Sequence, residues 1–82
     1  MNICIDVGNS TIGIGVFKEN KLIERKIADT NLDYTVEDFR EIFKKPFAVA
    51  LEDEEPVNII YSSVVPQING NLLMAIKKFT DV

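Results

Sequence analysis

Histidine is absent from the 82-residue sequence, and cysteine occurs once, at Cys4. A lone cysteine excludes an internal disulfide, and without histidine the usual Cys/His zinc centres are excluded as well. The commonest general base is missing too. Basic side chains are outnumbered: 9 Lys and Arg stand against 13 Asp and Glu, a formal net charge of -4. That balance argues against nucleic-acid or anionic-membrane partners. It leaves room for a local phosphate site, because backbone N–H groups can bind an anion without Lys or Arg. Met1 is followed by neither a basic leader nor a long apolar run, so no signal peptide and no transmembrane helix is expected. Cys4 lies in an apolar segment and reads as a small core residue. A reducing cytoplasm fits that usage.

Hydrophobic residues make up 46% of the chain, which suits a globular protein. The length allows one domain or part of one. A chain this short buries roughly 60% of the surface its unfolded form exposes, so its core is thin.

Residues 2–7 and 11–17 read as strands around the turn Gly8-Asn9-Ser10. Ile3, Ile5 and Val7 share one face, opposite Cys4 and Asp6. Ile12, Ile14 and Val16 share one face, opposite Gly13, Gly15 and Phe17. Both strands are largely apolar on both sides, which predicts a sheet covered on each face. A third strand over 21–28 carries Glu24, Arg25 and Lys26, as an exposed edge would. Thr35-Val36-Glu37-Asp38 forms a capping box with Asp38 in the Glu/Gln place, and Tyr34 and Phe39 suit a hydrophobic staple. A helix over about 36–44 follows, stopped by Pro46. Residues 47–51 fit a short helix or an apolar loop, and Glu52 to Pro56 an acidic surface turn. Residues 57–62 read as a buried strand, and Asn69 as the cap of a second helix carrying Leu72, Ala75, Ile76 and Phe79. The order β-β-β-α-β-α predicts a mixed sheet with packed helices. A further parallel strand would normally follow the last helix.

The residue types that could carry chemistry cluster in Asp6-Val7-Gly8-Asn9-Ser10-Thr11. An ionised carboxylate at the tip of an apolar strand calls for a partner, and a Mg²⁺ ion carried by ATP would be one. Gly8 can take positive φ and admit a phosphate close to the backbone. Asn9, Ser10 and Thr11 add short polar groups beside the turn amides. A plain hairpin turn, with Asp6 paired to a lysine or to turn amides, explains the same residues. Gly13 and Gly15 on one strand face imply a close approach by a helix, a strand or a ligand. Ser62 and Ser63 end a parallel strand, where they could meet a ligand or satisfy the following loop. Glu52, Asp53, Glu54 and Glu55 read as a solvated turn.

Two blocks carry a family likeness. Residues 2–11, Asn-Ile-Cys-Ile-Asp-Val-Gly-Asn-Ser-Thr, and residues 60–66, Ile-Tyr-Ser-Ser-Val-Val-Pro, resemble the opening phosphate motif and a strand end of type III pantothenate kinases. Thr35 to Phe39 is similar to that family's helix start. Asn69-Gly70-Asn71 departs from it, standing where the family has a more apolar, proline-containing stretch. The resemblance implies a ribonuclease-H-like, actin-like half-domain in the acetate kinase, sugar kinase, Hsp70 and actin superfamily. It implies transfer of the ATP γ-phosphoryl group to pantothenate, toward coenzyme A, with Mg²⁺ and a monovalent cation (K⁺ or NH₄⁺). By resemblance Asp6 would help place Mg²⁺-ATP, while Gly8, Asn9, Ser10 and Thr11 would contact the phosphates. The family's catalytic Asp, its pantothenate segment and its second phosphate motif lie beyond residue 82. Residues 1–82 are therefore expected to be the N-terminal part of such a domain, inactive alone, with a homodimer partner or a missing C-terminal half. Alternatives are a small subunit of a split kinase, a non-catalytic nucleotide-binding module, or a remnant that pairs its sheet edges.

Overall fold

The computed structural model describes residues 1–52 and 54–80. Four strands, β1 (Asn2–Val7), β2 (Thr11–Lys18), β3 (Lys21–Asp29) and β4 (Asn58–Ser63), form one sheet in the order β3-β2-β1-β4. β1 and β2 pair antiparallel, as do β2 and β3, and β4 lies parallel to β1. The sheet is therefore mixed, and with two helices the architecture is α/β, as the element order predicts. Glu19 and Asn20 turn β2 into β3 with φ of 51° and 67°. Two consecutive left-handed residues give the primed hairpin turn that matches strand twist.

Ile3, Ile5, Val7, Ile12, Ile14 and Val16 are buried on one sheet face. Helix α1 (Val36–Ala50) and helix α2 (Asn69–Lys77) cover that face with Phe39, Phe43, Phe47, Leu72, Ala75 and Ile76. The opposite face is bare among the described residues, contrary to the two-sided covering the apolar pattern predicts. Ile27 and Ile60, which lie on it, are 54% and 60% exposed. Cys4 is half-buried there rather than in the core. β4 is likewise an edge strand and not a buried one, with Tyr61 exposed.

The start of α1 follows the sequence. The Thr35 hydroxyl accepts from the Asp38 amide (3.2 Å), and the Asp38 carboxylate accepts from the Thr35 amide (2.9 Å). The Tyr34 and Phe39 rings meet edge to face at 5.3 Å, closing the staple. Thr35→Ala is expected to cost about 1 kcal/mol. A thermal melt should show this as a fall of about 4–8 °C in midpoint.

The end of α1 does not follow the sequence: the helix runs through Pro46 to Ala50. Proline there withdraws the amide that would serve the Ile42 carbonyl, a cost of about 3 kcal/mol. Burial of Pro46, Phe47 and Ala50 offsets it. α2 begins differently as well. A 3₁₀ turn at Pro66–Ile68 runs directly into it, so Asn69 is the first helical residue rather than the cap. The Asn69 Oδ1 is buried and makes no hydrogen bond among the described residues.

Candidate functional site

β1 delivers Asp6 to the bare face, one residue before the strand ends. The register sets Asp6 between Gly13 of β2 and Ser62 of β4. Its side chain is exposed and makes no hydrogen bond or ion pair among the described residues. The lysine or turn-amide partner that a plain hairpin reading supplies is therefore not there. A Cβ built on Gly13 would meet nothing within 4 Å among the described residues, so the sheet face beside Asp6 is open there. At Gly15 the close approach is local, since a Cβ would come to 3.0 Å from the Phe17 ring and 3.3 Å from the Leu22 side chain. Asp6, Cys4, both glycines, Phe17, Leu22 and Arg25 line a shallow hollow of about 210 Å³.

The β1–β2 turn is held from outside. The Gly8 amide donates to the Thr11 carbonyl (2.9 Å), and no bond returns from the Thr11 amide to Gly8. Thr30, just past β3, takes both outward carbonyls instead. Its hydroxyl donates to the Gly8 oxygen (2.8 Å) and its amide to the Ser10 oxygen (2.9 Å). The Asn9 and Ser10 amides make no hydrogen bond among the described residues. Asn9, Ser10 and Thr11 are exposed. Gly8 does not use positive φ. Glycine serves there because a Cβ would stand 3.3 Å from the Thr11 carbonyl oxygen.

The pair of serines divides. The Ser63 hydroxyl accepts from the Val65 amide (3.1 Å) and donates to its carbonyl (3.3 Å), so it satisfies the loop. Ser62 is exposed beside Asp6. The acidic run at 52–55 includes Asp53, which lies outside the described residues. Among those described, no three acidic or cysteine groups cluster to hold a metal, and no helix is long and apolar enough to cross a membrane. The site thus offers one free carboxylate and a turn with unbonded amides, a combination able to meet a metal-bearing anion. Sequence reasoning missed Thr30, which stands between the third strand and the capping box with no motif to mark it. Only the pairing of β3 with β2 brings it to the turn.

The profile of the type III pantothenate kinases matches residues 2–82. A type III pantothenate kinase of Citrifermentans bemidjiense is 34% identical over 73 residues, covering 88% of this chain and 29% of its own length. One from a Sulfurihydrogenibium species is 34% identical over 83 residues, covering all of this chain and 33% of its own length. The chain thus spans about a third of the length of the curated relatives it matches. At that extent and identity, the chain belongs to the type III pantothenate kinase family.

Proposed function

We propose that residues 1–82 form the N-terminal part of an actin-like kinase domain and supply one wall of its nucleotide site. The reaction is phosphorylation of pantothenate by ATP, an entry step to coenzyme A in the cytoplasm. The observation that carries this reading is the exposed Asp6 carboxylate beside a turn whose Asn9 and Ser10 amides, like Asp6 itself, have no partner among the described residues. Those residues fit Mg²⁺-ATP. Magnesium is commonly held by one or two carboxylates together with substrate phosphates, often through water. Asp6 would take the metal, and Gly8, Asn9, Ser10 and Thr11 the phosphate oxygens. The metal ion supplies neutralisation of charge on the phosphates. A monovalent cation would act in the complete site, as the family likeness implies.

Phosphoryl transfer needs the nucleotide held from both sides and the acceptor hydroxyl aligned. This chain contributes one side and no catalytic residue. The remainder of the site comes from a C-terminal half, in the same polypeptide or in a second one, with a homodimer as the assembled state.

Titration of the 82-residue chain with Mg²⁺-ATP, followed by amide resonances, tests the reading. Weak binding that shifts the Asn9, Ser10 and Thr11 amides is expected, without pantothenate-dependent ADP release. Shifts confined to other parts of the chain would overturn the phosphate site. Enzyme-like turnover would overturn the half-clamp. Micromolar affinity would favour a self-sufficient nucleotide-binding module instead.

A further inference from the structure

We infer that Thr30 is a positioning residue for the β1–β2 turn: its hydroxyl orients the Gly8–Asn9 peptide so that the Asn9 amide points outward. The inference rests on the phosphate reading of that turn and adds to it a residue on a different strand connection.

The Gly8 carbonyl and the Asn9 amide belong to one peptide unit. A trans peptide is planar, with N–H and C=O on opposite sides, so fixing one fixes the other. The Thr30 hydroxyl holds the Gly8 oxygen at 2.8 Å. The Asn9 N–H must then face away from Thr30, where it meets no acceptor among the described residues. The Thr30 amide does the same for the next carbonyl but one, holding the Ser10 oxygen at 2.9 Å and turning the Thr11 N–H to the far side.

Without the hydroxyl, the Gly8 carbonyl has a competing donor. In a two-residue hairpin turn the last residue's amide donates to the first residue's carbonyl. Here those groups are the Thr11 amide and the Gly8 oxygen, and that bond is not made. Thr30 occupies the acceptor and keeps the turn open on that side. It also keeps a carbonyl lone pair from facing the place where an anion would sit. Thr30 is half-buried and just past the end of β3, so its backbone is fixed by the β2–β3 pairing. This makes it a rigid clamp rather than a mobile side chain.

The test compares Thr30→Val, which keeps the branched shape and loses the donor, with Thr30→Ser, which keeps the donor. In the chain without nucleotide, Thr30→Val should move the Gly8 carbonyl-carbon and Asn9 amide resonances, and Thr30→Ser should leave both near wild type. With Mg²⁺-ATP, Thr30→Val should raise the titration midpoint about threefold to tenfold, and Thr30→Ser should restore it. Unmoved Gly8 and Asn9 resonances in Thr30→Val, or a Thr30→Ser variant that behaves like Thr30→Val, would overturn the inference. Should Thr30→Val not fold, the wild-type Thr30 hydroxyl proton decides: slow exchange with proximity to Asn9 supports the clamp, and rapid exchange overturns it. If the nucleotide-free resonances move as expected while wild type ignores Mg²⁺-ATP, the clamp stands and the phosphate reading alone falls.

Discussion

Phe43→Ala is expected to remove most of the stability of this chain. Phe43 is fully buried, with the Phe39 ring 5.8 Å away on one side and the Phe47 ring 5.6 Å away on the other. Phe47 in turn reaches Phe79 at 4.9 Å, so the series ties α1 to the turn that follows α2. Truncating a buried phenylalanine costs about 3–5 kcal/mol, part of it lost transfer energy and part the cavity left behind. At roughly 0.05–0.15 kcal/mol per residue, a domain of this length has about 4–12 kcal/mol in all. With one sheet face bare, the lower end applies. Denaturation should show a midpoint lower by about 15 °C or more, or no cooperative transition. Ile60→Ser is the matched control. Ile60 is 60% exposed on the bare face, so the change should stay within about 0.5 kcal/mol. A loss at Ile60 comparable to that at Phe43 would mean that the bare face is covered in solution.

The same division explains which elements can be read from sequence. The capping box and staple at 34–39 are local: every group involved lies within five residues, and the structure forms them as spaced. The alternation along β1 and β2 likewise fixes which side chains reach the core. Pro46 is different. Local rules end the helix there, and only the core's hold on Phe47 and Ala50 carries it onward. The bare face fails for a related reason. Glycine, cysteine and phenylalanine look like covered positions, but apolar residues record what a face can bury, not which segment buries it. Ile60 and Tyr61 misled in the same way, since a β-branched, aromatic run suits an edge strand as well as a central one. At the candidate site, the turn's residue types stand out in sequence, whereas Thr30 does not. Its hydrogen bond to Gly8 spans 22 residues and exists only once β3 is paired.

Asp6→Asn is expected to separate function from folding at that site. The Asp6 side chain is exposed and has no partner among the described residues, so its charge contributes little to the fold. Asparagine keeps the shape and the strand position while removing the charge that would attract a metal ion. Thermal midpoints of the two proteins should therefore agree within a few degrees, since surface changes without partners stay within about 0.5 kcal/mol. Binding should respond otherwise. A charged hydrogen-bonding partner is worth about 1.5–3 kcal/mol, so Mg²⁺-ATP should bind about tenfold more weakly or worse. ATP without metal should bind the variant at least as well as wild type, because one negative charge near the phosphates has gone. Replacing Mg²⁺ by paramagnetic Mn²⁺ makes the location readable. Manganese-ATP should broaden the resonances of Gly13 and Ser62, the register neighbours of Asp6, in wild type and spare them in Asp6→Asn. Equal broadening in both proteins would place the metal elsewhere and remove Asp6 from the site. A variant that melts far below wild type would show instead that the carboxylate is part of the structure, held by a partner the open face does not reveal.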